Sequence, residues 1–116
     1  MQKRYKFNQY GVCTNPKSET IYKSEKMHAI IKLATDGERW AYGYELAIKG
    51  TSVGCFSHSG LPKINQYHMG FKTEKEARTA AIEWAIYTFK HQTSMYNVTA
   101  VLNALQKALT PQLKLF

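Results

Sequence analysis

Two groups of cations in this chain are spaced as phosphate-holding groups would be. Near the start, Lys3, Arg4 and Lys6 interleave with Tyr5 and Phe7, which sets charges able to meet phosphates beside rings able to stack on bases. The same alternation suits a terminal strand tucked onto a sheet, and composition does not separate the two readings. Further on, Lys72, Lys75 and Arg78 gather where a helix begins. Free N–H groups and the helix dipole favour an anion at such a place. The plainer reading is that Thr73 and Glu76 cap a core helix and the lysines are merely solvated.

Other chemistry is poorly provided for. Cys55 and His58 form C-x-x-H, and His68 lies further on. Residues three apart on a strand face opposite sides, and structural zinc ordinarily takes two closely spaced ligand pairs. No metal and no other cofactor is expected, and whether Cys55, His58 and His68 converge is left to the fold. Ser57 and His58 are neighbours that face opposite ways on a strand. The carboxylates Asp36, Glu38, Glu74, Glu76 and Glu83 fall in turns and on helix surfaces, with no pair at catalytic spacing and no glycine-rich phosphate loop. A non-enzymatic role follows as the expectation.

The elements that would position these groups are legible in the periodicity. Residues 28–35, HAIIKLAT, read as a strand, Asp36-Gly37 as a hairpin turn, and 39–50 as the returning strand. Along that return Trp40, Tyr42, Tyr44, Leu46 and Ile48 point one way, and Ala41, Gly43, Glu45, Ala47 and Lys49 the other. The large row is expected to be core and the small row a solvent face, a stacking platform being the minority reading. Residues 52–58 read as a further strand, and 59–68 as a loop that can hold a short edge strand before Gly70. The period then changes to 3.6. Thr73 with Glu76 makes a capping box, and a helix runs from Glu74 to about Lys90. Its small seam, Ala77, Ala81, Trp84, Ala85 and Thr88, fits a sheet, while Ile82, Ile86 and Phe89 form a second stripe, so two contacts are required. A second helix follows, with Asn97 as cap, Pro111 as stop and Val98, Val101, Leu102, Leu105 and Leu109 on one stripe. That stripe can cover the Ile82/Ile86/Phe89 stripe, or dock on a partner chain or a second copy.

The expected fold class is α+β: an antiparallel sheet of three or four strands packed by a long helix and followed by a C-terminal helix. The expected division is a basic, aromatic arm over 1–26 and a single α+β domain over 27–116. A hydrophobic share of 44% supplies a core without metal or disulfide staples. No apolar run is long enough to span a membrane and no signal peptide is read at the N-terminus, so a cytoplasmic location is expected.

Charge placement carries the functional expectation. The net charge is +8, and it is uneven: six basic against two acidic residues over 1–26, seven against six over 27–89, three against none over 90–116. Basic ends on a nearly neutral middle suggest an anionic partner. The segment GFKTEKEARTAAIEWAI (70–86), with Gly70, Lys75, Ala77, Arg78 and Ala81, resembles the C-terminal half of a double-stranded-RNA-binding domain. That resemblance implies strands followed by a phosphate-gripping helix start. The F-x-T-x-x-E-A opening, Phe71 to Ala77, is also similar to HicB-type antitoxins, which share three strands and a helix. The expected function is nucleic-acid binding, DNA or RNA left open, with phosphates met by Lys3, Arg4, Lys6, Lys72, Lys75 and Arg78 and with Tyr5 and Phe7 as stacking groups. The alternative is a protein-binding inhibitor or antitoxin-like factor that docks on a partner protein or nucleoprotein complex.

Overall fold

The fold is α+β: a four-stranded antiparallel sheet followed by two helices, the first packed on the sheet. The structure, a computed structural model, describes residues 5–51, 54–65, 69–92 and 97–109, with side chains described for all of these except 50, 51, 54–56 and 92. Strands β1 (Lys17–Lys23), β2 (Met27–Thr35), β3 (Trp40–Thr51) and β4 (Gly54–Gly60) are followed by α1 (Glu74–Gln92) and α2 (Thr99–Leu109). The sheet order is β1-β2-β3-β4, a plain meander. Segment 17–23, placed by the sequence reading within the basic, aromatic arm over 1–26, is an edge strand.

Local chemistry explains the turns. Asp36 Oδ1 accepts from the N–H groups of Glu38 and Arg39 at 2.9 Å each, and Gly37 takes φ 105°. This closes the β2–β3 hairpin and sets the register Thr35↔Trp40 through Met27↔Ile48. The capping box forms as its spacing requires: Glu76 N–H donates to Thr73 Oγ1 at 3.1 Å, and Glu76 Oε1 accepts from Thr73 N–H at 3.3 Å. Asn97 Oδ1 accepts from Thr99 N–H at 3.2 Å and begins α2.

Both helices lie on one face of the sheet. Ala29, Ile31, Leu46 and Ile48 meet Ala81, Ile82, Ala85, Ile86 and Phe89 of α1 and Val101 and Leu105 of α2 in one buried cluster. The two stripes of α1 therefore find their two partners, sheet and helix. The apolar stripe of α2 faces this cluster: Val101 and Leu105 are wholly buried, and Val98, Leu102 and Leu109 pack against it.

The alternating row of β3 divides along its length. Leu46 and Ile48 are core, as expected, whereas Tyr42 and Tyr44 are half-buried. The opposite row is not uniformly a solvent face. Ala41 and Gly43 are buried, because the segment around Cys13 and Pro62 lies over that end. Cys13 N–H donates to the Pro62 carbonyl at 2.9 Å, and a Cβ placed on Gly43 would come within 2.8 Å of Pro62 Cδ. The stretch before β1 thus covers this end of the sheet, and Cys13 within it is wholly buried.

Candidate nucleic-acid interface

The charged groups sort by face. In β1 through β4, residues paired with the core positions point toward the helices, and those between them point away. On the helix side, two cations, Arg78 and Lys17, are paired with carboxylates among the described residues. Arg78 Nε and Nη2 donate to Glu19 Oε1 and Oε2 at 2.9 Å each, and Nη1 donates to the Ala108 carbonyl at 3.2 Å. This guanidinium ties β1, α1 and α2 together. It holds the Glu19 carboxyl below the usual carboxylate range, chiefly through these hydrogen bonds and further through its charge, with burial opposing. The Arg78 pKa is raised, chiefly by the same hydrogen bonds to Glu19. Lys17 pairs with Glu74.

The start of α1 is likewise filled from within the chain. Glu76 Oε1 accepts from both Lys72 N–H and Thr73 N–H, at 3.2 and 3.3 Å, and Thr73 Oγ1 accepts from Glu76 N–H. Lys72 and Lys75 are exposed, in a shallow hollow shared with Arg39, Glu76 and Glu83. Of the expected group Lys72, Lys75 and Arg78, two lysines therefore stand among carboxylates and the arginine is held on three donor atoms.

The first expected group is only partly described. Lys3 and Arg4 lie outside the described residues, as do His68 and the chain's last residues; the Cys55 side chain is also outside. Tyr5 packs edge-on against Trp40, ring centres 6.2 Å apart at 70°, so this ring meets protein. Phe7 bridges to Cys13 across a small loop. Lys6 is exposed.

The face away from the helices differs. Lys23, His28, Lys32 and Lys49 point outward there, with Lys6 and Lys63 exposed on the segment that covers one end. Glu45 is the one carboxylate at an outward strand position among the described residues. It lies 3.2 Å from His28 Nε2 and 3.5 Å from Lys32 Nζ. Exposed hydroxyls of Ser18, Thr20, Ser57 and Ser59 fill the spaces between. Lys32 is opposite Gly43, six residues before Lys49, so the lysines spread over roughly 20 Å of sheet. Sequence reading missed this face, although its signal was present: Lys23, Lys32 and Lys49 all fall on strand positions of outward parity.

The rings gather on the helix side instead, toward β4. Tyr44, His58 and Trp84 stand 5.3 to 5.9 Å apart between ring centres, Tyr87 stacks on Trp84 at 5.7 Å and 22°, and His91 follows at 4.4 Å from Tyr87. Among the described residues no group of three His, Cys, Asp or Glu is placed to hold a metal ion, and no helix is long and apolar enough to cross a membrane. Set against protein-family models, curated proteins and solved structures, the chain matches none. What stands is an α+β protein with one helix-covered face and one open, lysine-bearing face.

Proposed function

We propose that this protein binds nucleic acid through its phosphates, and that the open face of the sheet, rather than the start of α1, makes the contact. The observation that carries the reading is the separation of charge. On the helix side Lys17 and Arg78 are paired with Glu74 and Glu19 and the lysines at the start of α1 stand beside Glu76 and Glu83, whereas among the described residues five lysines on the outer side face a single carboxylate at an outward strand position, Glu45. A polyanion gains most where cations are not already neutralised, because each phosphate contact releases condensed counterions. The hydroxyls between the lysines are suitable donors to phosphate oxygens. The described outward strand positions carry no Phe, Tyr or Trp, and Tyr10 on the covering segment is a lone exposed ring, which favours contact with the nucleic-acid backbone over base stacking.

The test is a titration of labelled DNA and RNA, single-stranded and duplex, across a salt series. Replacing Lys23, Lys49 and Lys63 together by Gln is expected to weaken binding at least about tenfold at low salt. It should also flatten the slope of log affinity against log salt by about 2 to 3, near 0.9 per lost duplex contact. Replacing Lys72 and Lys75 by Gln should change the slope by less than half as much. No binding to any of these nucleic acids at about 50 mM salt overturns the reading. Recovery instead of a protein partner that survives nuclease and about 0.5 M salt favours the inhibitor or antitoxin-like alternative.

A further inference from the structure

We propose that His28 gates the open face by protonation: at mildly acidic pH its imidazolium takes over the Glu45 carboxylate, releases the Lys32 ammonium and strengthens the hold on a polyanion. The inference rests on the open-face reading above and adds its regulation. Glu45 stands opposite Ile30 in the β2–β3 register, so His28 and Lys32 are its two diagonal neighbours on the same face. Both are within reach, Oε2 at 3.2 Å from His28 Nε2 and Oε1 at 3.5 Å from Lys32 Nζ. One carboxylate is thus shared between two bases. Of the two, the imidazole is the kind of group that changes its charge near neutrality. Its Nε2 is shielded from solvent and makes no hydrogen bond of good geometry among the described residues. Once that nitrogen carries a proton, the Glu45 oxygen beside it is the acceptor in reach.

The neighbours of His28 set the sign of the effect. From β1, Lys23 stands directly opposite it, and within β2 Lys32 shares its face. From β3, Ala47 is opposite, with Glu45 and Lys49 on either side, and Ser57 of β4 lies beyond Ala47. Glu25 and Lys26 are exposed in the turn between β1 and β2 and offset each other. The ring therefore sits among three lysines and one carboxylate. Those lysines oppose a further positive charge, and phosphates laid across them remove the opposition. A ligand that favours the protonated ring binds more tightly as pH falls, and by reciprocity draws a proton onto it. The step balances: solvent supplies one proton, both ring nitrogens become donors, and Glu45 exchanges the ammonium for the imidazolium. The face gains one positive charge and no covalent bond changes.

The test titrates the full chain with a labelled duplex and a labelled single strand of about 20 nucleotides, in about 50 mM salt, at about pH 8 and about pH 6. Affinity is expected to rise about five- to tenfold at the lower pH, and the slope of log affinity against log salt to steepen by up to about 0.9 for the duplex. His28→Gln should lose most of that rise. His28→Lys, charged at both pH values, should bind at both as the wild type does at the lower. Glu45→Gln frees Lys32 throughout and should raise affinity most at the higher pH. His91→Gln, on the helix side, should keep the wild-type ratio. Equal wild-type affinity at both pH values overturns the inference and leaves the open-face reading intact. A rise undiminished in His28→Gln or His28→Lys, or one lost in His91→Gln, does the same. Folding of each variant is checked by circular dichroism, and where one substitution at 28 fails to fold the other decides. No binding at either pH overturns both readings.

Discussion

Arg78 shows how much a single side chain's role depends on its surroundings. Placed at a helix start beside two lysines, it has the position of a phosphate ligand. In the fold it is a clamp, with both guanidinium edges used by Glu19 and the Ala108 carbonyl. Arg78→Lys keeps the charge but loses the fork. It should lower stability by about 1 to 2 kcal/mol in urea unfolding, with nucleic-acid affinity unchanged. The pair also sets a pH dependence. Because Glu19 titrates below its ordinary value in the folded chain, its contribution is complete above the ordinary carboxylate pKa and is lost as pH falls through the lowered one. The gap between wild type and Glu19→Gln should be about 1 kcal/mol near neutrality, modest because both groups are partly solvated, and should close as pH falls through the lowered Glu19 value. Gly70 is determined by backbone rather than charge. Its φ is 76°, and a Cβ there would lie 2.6 Å from the Trp40 carbonyl oxygen, next to the bridge that joins Trp40 to Phe71.

The elements divide into those that carry the core and those that carry a surface. α2 belongs to the first kind. Its apolar stripe was open to three partners on sequence grounds, and in the fold it completes the cluster around Phe89 and Ile82. Leu105→Ala should therefore cost about 2 to 5 kcal/mol, measured as a shift of the urea midpoint, and leave the oligomeric state as it was. A docking helix would give the reverse pattern, an unchanged midpoint and a lost partner. β3 belongs to both kinds, with Leu46 and Ile48 inside and Glu45 and Lys49 on the open side. Strand β1 lies in a polar stretch whose residues alternate weakly; its register with β2 turns Lys17 and Glu19 toward the helices, where they pair with Glu74 and Arg78.

At the scale of the whole molecule, a ligand that holds the folded chain must stabilise it. Nucleic acid at about a hundred times its Kd should add about 2.7 kcal/mol and raise the melting temperature by several degrees, an increment that about 0.5 M salt should abolish. The order and kind of most elements were decided by the amino-acid sequence itself. The Asp36-Gly37 turn, the Thr73–Glu76 cap, the alternation of β3 and the seams of α1 are all local, set by neighbours within four residues or by a repeating period, and local interactions can be read along a chain. Only the tertiary structure decided which charges remain unmatched. Glu19 and Arg78 are 59 residues apart, Lys17 and Glu74 are 57 apart, and the side left open depends on both helices crossing the same face. Neutralisation of a cation is a matter of distance in space, and separation along the chain carries no measure of it.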